Sequence, residues 1–104
     1  LSDRLMALAA NDICAKSVIC RMAADDTIGA ESLIEEFKSK SPSFERSREN
    51  QMLVKCIQAY NDRNANDFAT AVSEYDQIKP LDNFMTSSLL AVKKMIEGDD
   101  EDLC

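Results

Sequence analysis

Apolar side chains recur along this chain at helical rather than strand spacing. From about Asp3 to Met22, Leu5, Leu8, Ile13 beside Asp12, the Val18–Ile19 pair and Cys20 form an imperfect stripe. Alanines between them let a neighbour approach closely, and the spacing predicts one long helix. Asp25, Asp26 and Thr27 break it, each suited to capping the next helix. A second helix is predicted over about Ile28 to Ser39, with Ile28, Leu33, Ile34 and Phe37 inward and Glu31, Glu35 and Glu36 outward. Pro42 disfavours helix at the residue before it, and Ser43 is placed to cap the next start. The third predicted helix, about Phe44 to Asp62, carries Met52, Leu53, Cys56, Ile57 and Tyr60, and the polar run from Asn61 to Asn66 reads as a turn. A fourth, about Asp67 to Ile78, sets Phe68, Ala71, Val72 and Tyr75 on one face before Lys79 and Pro80 end it. Asp82 then caps a fifth, with Met85, Leu89, Val92 and Ile96 as its stripe and Gly98 at its end.

Five amphipathic helices with short connections predict an all-α fold of antiparallel hairpins. The run from Asp67 and Phe68 through Ala71, Val72, Tyr75 and Ile78 to Pro80 resembles the second half of a tetratricopeptide repeat. No second copy follows at the repeat spacing, which favours a helical hairpin over a solenoid. Composition agrees with the pattern: only 2 glycines and 2 prolines punctuate 104 residues, too few turn formers for an all-β chain. At this length one domain is expected. Its bounds are drawn at residues 1–98, followed by an acidic segment at 99–104.

That segment changes the picture. Asp99, Asp100, Glu101 and Asp102 are consecutive, and Leu103 and Cys104 follow. Four adjacent acids repel one another, gain nothing from burial, and stand where a helix dipole disfavours more negative charge. A solvated tail is one reading; an apolar side chain beside a charge cluster supports the other, a docking end for a partner. The net charge of −7 leaves no basic surplus for nucleic acid and points to a basic protein surface instead. No apolar run reaches the length of a membrane span, and no signal peptide is visible. The chain begins at Leu1 without a methionine, as a fragment would.

Catalytic and metal chemistry find little support. The sequence has no histidine, and Cys14, Cys20, Cys56 and Cys104 form no CxxC pair, so zinc is not expected. Buried or half-buried reduced thiols of a cytosolic protein are the expectation for them. No Gly-rich phosphate loop, GxSxG or HExxH is present, and the tail lacks the alternating ligands and glycine of an EF-hand. The residues argue for a binding protein, not an enzyme, with no metal and no cofactor.

A set of short motifs goes further. Pro42-Ser43-Phe44 is followed by Ser47-Arg48-Glu49, then by Glu74-Tyr75-Asp76, Leu81-Asp82, Leu89-Leu90 and Lys93-Lys94, with Gly98 to Leu103 at the end. In this order and spacing they resemble the C-terminal part of the alpha-type soluble NSF-attachment proteins, the SNAP adaptors. The likeness extends more loosely over Asp12 to Cys20. It implies the C-terminal third of a longer protein: a helical bundle following an N-terminal sheet of helical hairpins. It also implies an adaptor that coats a four-helix, syntaxin-containing SNARE bundle and recruits the N-domains of the AAA ATPase NSF to dismantle it. Such an adaptor is cytoplasmic and peripheral to membranes, and its membrane-touching loop belongs to the N-terminal part.

Carried over by position, the resemblance implies NSF-binding roles for Asp25, Asp62, Asp99, Asp100, Glu101, Asp102 and Leu103, the leucine being tied to stimulating the ATPase. It implies a SNARE-facing role for Arg48. Gln58 and Asn61 stand where the family is acidic, and Asn11 where it tends to lysine. Without the resemblance, Asp25 reads as a helix cap, Asp62 as a turn residue and Arg48 as a solvated helix charge. The competing reading is a tetratricopeptide-like scaffold that binds another basic protein.

Overall fold

The computed structural model describes the backbone of residues 2–102 and the side chains of residues 9–98. Five α-helices follow one another: α1 (Ser2–Ala23), α2 (Thr27–Lys40), α3 (Arg48–Asp62), α4 (Ala65–Ile78) and α5 (Asn83–Asp102), with a short 3₁₀ segment, Pro42–Arg46, between α2 and α3. No strand occurs among the described residues.

Local chemistry explains most boundaries. Asp26 caps α2, its carboxylate accepting the Gly29 amide at 2.9 Å, and a side chain at Gly29 would run into that carboxylate. Asn64 caps α4 through the Asp67 amide, and Asp82 caps α5 through the Met85 amide at 2.8 Å, as its sequence position predicts.

Three boundaries differ from expectation. Ser43 is not the cap of the third helix. Pro42 starts a 3₁₀ turn, and Ser47 caps α3 by accepting the Asn50 amide, so the helix begins at Arg48 rather than Phe44. α3 ends at Asp62 as expected, but α4 begins at Ala65 rather than Asp67, so within the polar run from Asn61 to Asn66 the turn is Arg63 and Asn64 alone. Gly98 does not end α5, which continues to Asp102. A mid-helix glycine costs about 1 kcal/mol against alanine without forbidding helix, and this one is not in the left-handed conformation of a helix stop.

The most extensive contacts join α1 to α2 and α3 to α4, the two expected antiparallel hairpins. α1 also packs on α3, and α5 returns to lie on α1 as well as α4. Asp82 and Phe84, where α5 starts, meet Lys16 in the middle of α1, with the Lys16–Asp82 ion pair at 2.8 Å. Met95 and Ile96, farther along α5, share a hollow with Asp25, just past the end of α1. The two helices therefore run parallel. The return of α5 to α1 closes the array into a bundle instead of extending an open stack.

One core runs through all five helices, with Val18, Ile19 and Met22 of α1, Leu53 and Cys56 of α3, Phe68 of α4 and Val92 of α5 essentially inaccessible. The expected stripes of α3, α4 and α5 face it, with Val72 and Ile96 half-buried. Ile13, Cys20 and Ile28 do not: they are exposed, Ile28 at 78%. In α1 the inward face is Cys14, Ala15, Val18, Ile19 and Met22, and Ile13 and Cys20 lie roughly opposite it at 100° per residue. Ile28 sits in the first turn of α2, where Ala30 and Ile34 face the core. Leu5 and Leu8 lie outside the described side chains. Cys14 and Cys56 are buried free thiols, their pKa pushed up to about 12 by loss of solvent.

Candidate partner-docking site

Because α1, α3 and α5 run the same way, their C-terminal ends share one end of the bundle. Asp25 stands there, exposed, at the end of α1. Its amide bonds the Met22 carbonyl at 2.9 Å, the Asp26 amide bonds that of Arg21 at 2.8 Å, and its φ is 62°. That is a Schellman motif with aspartate where glycine is usual. The end of α3 repeats it: Arg63, at φ 56°, bonds the Tyr60 carbonyl, and the Asn64 amide bonds that of Ala59 at 2.9 Å.

Both left-handed residues converge on Tyr60. Its ring is 4% exposed, its hydroxyl donates a hydrogen bond to Asp25 Oδ1, and the Arg63 guanidinium lies 5.0 Å from the ring centre. Burial, then the bonded Asp25 carboxylate, push the hydroxyl above the ordinary phenol range against the opposing pull of Arg63, so it stays a donor at neutral pH. Asp25, Tyr60, Arg63, Met95 and Ile96 border a hollow of about 320 Å³. Asp62 is exposed in the last turn of α3, beside Arg63 but on another face. It borders a larger groove, about 610 Å³, whose floor is Ile34, Val54 and Ile57 and whose rim carries Glu31, Glu35, Lys38, Gln58 and Asn61.

From Ile96 the backbone of α5 stays helical to Asp102, so the four acids extend from this same end. Their side chains, and Leu103 and Cys104 altogether, lie outside the described residues. Arg48 is elsewhere: as the first residue of α3 it stands roughly 20 Å from Asp62, the last, by the helical rise. It lines a separate groove with Lys55, Glu74 and Tyr75. Asn11 is buried in α1, 9% exposed.

The Arg48 end has its own polar cluster. Glu49, 6% exposed, accepts from the Tyr75 hydroxyl at 2.7 Å and from Lys79 Nζ at 3.1 Å, tying the start of α3 to the end of α4. Burial raises the Glu49 pKa, but the Tyr75 hydroxyl, a backbone amide and Lys79 together outweigh it and hold the carboxyl below its usual range. Among the described residues no group of three or more His, Cys, Asp or Glu could hold a metal ion.

Sequence reasoning placed Asp25 and Asp62 but missed Tyr60 and Arg63 as their neighbours. Tyr60 reads as core, which it is, and nothing in a stripe shows where its hydroxyl points. No sequence signal marks them: α1 to α4 all end without glycine, and only Asp25 and Arg63 among the described residues take the left-handed conformation without being glycine.

The fold is thus a closed five-helix bundle with charged helix ends and open surface grooves. By sequence, the chain belongs to the soluble NSF attachment protein (SNAP) family, whose family model matches residues 1–97. It is 34% identical over 103 residues to the alpha-soluble NSF attachment protein of Mus musculus, covering 99% of this chain and 35% of the relative. To the Dictyostelium discoideum protein of the same name it is 38% identical over 86 residues, 83% of this chain and 30% of the relative. To the vesicular-fusion protein SEC17 of Komagataella phaffii it is 34% identical over 101 residues, 97% of this chain and 34% of the relative. The chain thus spans about a third of the length of the curated relatives it matches. No solved structure matches it significantly.

Proposed function

We propose that this chain is the docking part of an adaptor that attaches an NSF-type ATPase to SNARE bundles in vesicle fusion, acting in the cytoplasm at membrane surfaces. The observation that carries the reading is the family match over residues 1–97, joined to the placing of Asp25, Asp62 and the acid-bearing end of α5 at one end of the bundle. Acids at one end suit a basic surface on the ATPase N-domains. Residues 99–104 act as the docking segment, with Leu103 as its apolar contact. Arg48, at the far end of α3, faces the SNARE bundle, so the two partners are met at separate places. Membrane contact belongs to the N-terminal part of the longer protein; among the described residues no helix is long and apolar enough to cross a bilayer.

The reading is of an adaptor rather than an enzyme. The displaced ionisations at Glu49, Asp82, Lys16 and Asp26 all have helix-to-helix contacts, caps or ion pairs as their partners. The test is capture of the NSF N-domain by the full chain and by one lacking residues 99–104. Loss of capture on truncation is expected; equal capture by both would remove the tail from the docking surface.

A further inference from the structure

An L-residue in the left-handed region, as at both Schellman ends, carries a steric cost that glycine avoids. Such residues, held by their surroundings, gather at functional sites. Here both positions carry charge, of opposite sign, and both charges meet the same buried ring. As an exposed surface charge Asp25 would be free to rotate; instead one oxygen is bound by a hydroxyl rooted in the core.

We propose that Tyr60 is a positioning residue for docking: by donating its hydroxyl to Asp25 Oδ1, it holds that carboxylate in the orientation that meets a lysine or arginine of the partner. The inference rests on the docking role proposed above for Asp25. Ordering a side chain before binding removes that cost from the association, which for one carboxylate corresponds to roughly threefold to tenfold in affinity. Tyr60 is buried in α3, so it acts through Asp25 rather than on the partner. Arg63 lies over the ring face and places a positive charge beside the hollow.

The experiment compares Tyr60→Phe, Asp25→Asn and the double variant of the full chain for affinity to the NSF N-domain at low salt, with unfolding midpoints measured alongside. Phenylalanine keeps the ring in its place and removes only the hydroxyl; asparagine tolerates the left-handed backbone and removes the charge while keeping an oxygen that accepts from Tyr60. Tyr60→Phe should weaken binding roughly threefold to tenfold. The double variant should bind no more weakly than Asp25→Asn, because the hydroxyl has no carboxylate left to orient. If Asp25→Asn weakens binding and Tyr60→Phe does not, the positioning role is overturned while the docking role of Asp25 stands. Losses that multiply in the double variant also overturn it, since Tyr60 would then act independently of Asp25. Binding unaffected by Asp25→Asn overturns the inference together with the docking role of Asp25, and leaves the tail acids to be judged by truncation.

Discussion

Phe68 and Glu49 show the two ways a single side chain is committed in this bundle. Phe68 is 1% exposed, with Ala71 and Tyr75 on the same buried face of α4. Its truncation to alanine loses both transfer free energy and packing, so Phe68→Ala should destabilise the chain by about 3–5 kcal/mol in chemical denaturation. A loss under about 1 kcal/mol would mean that the α3–α4 contact is looser than its burial implies. Glu49 is committed electrostatically. Its folded pKa lies below the ordinary carboxylate range, so its contribution is fully present above that range and is lost as pH falls through the depressed value. Glu49→Gln keeps an acceptor for Tyr75 but loses the charge opposite Lys79. It should cost about 1–2 kcal/mol at neutral pH, where Lys79 is partly solvated, and should flatten the acid limb of a stability–pH curve. An unchanged acid limb would assign the acid sensitivity to other carboxylates.

At the scale of helices, the α3, α4 and α5 stripes are legible in the sequence because each element has one apolar face, and α5 also has its cap, Asp82, where the sequence puts it. α1 is harder. It packs on α2, α3 and α5; Val18 and Ile19 of the expected stripe face inward, but so do Cys14, Ala15 and Met22, while Ile13 and Cys20 point out. The corner between α2 and α3 is displaced by one turn from its expected place because proline and three serines offer several competing caps. The structure chooses Ser47, whose hydroxyl both accepts the Asn50 amide at 3.1 Å and donates to the Phe44 carbonyl at 2.6 Å. Ser47→Ala should therefore cost about 1 kcal/mol, and comparable loss from Ser43→Ala would contradict the assignment. The acids proposed for docking are legible as charge, but their grouping depends on α1, α3 and α5 running parallel, which no local pattern reveals. The final element carries one more expectation. Leu103→Ala should change the stability of the isolated chain by no more than about 0.5 kcal/mol. In an otherwise complete adaptor it should keep much of the acid-driven NSF binding yet lose most stimulation of SNARE disassembly. Undiminished disassembly would remove the role proposed for Leu103; equal loss in both assays would make it an ordinary binding contact.

Across the whole molecule, charge sets the behaviour expected toward partners. With a net charge of −7 and acids gathered at one end, attraction to a basic surface should weaken as salt rises, the screening length contracting from about 10 Å at 0.1 M to about 3 Å at 1 M. Replacing Asp99, Asp100, Glu101 and Asp102 by their amides should weaken NSF binding and flatten its salt dependence. Affinity indifferent to both salt and these replacements would show that charge does not dominate the docking.

The parallel course of α1 and α5 has a mechanical consequence. A motor that grips the far end of α5 pulls on a helix that lies lengthwise along α1 and is continuous from Asn83 to Asp102. Tension along that axis would load the α1–α5 seam in shear, so its contacts would resist together instead of being unzipped in turn. In the adaptor role proposed above, such a seam would pass a pull to the rest of the bundle as to a single body.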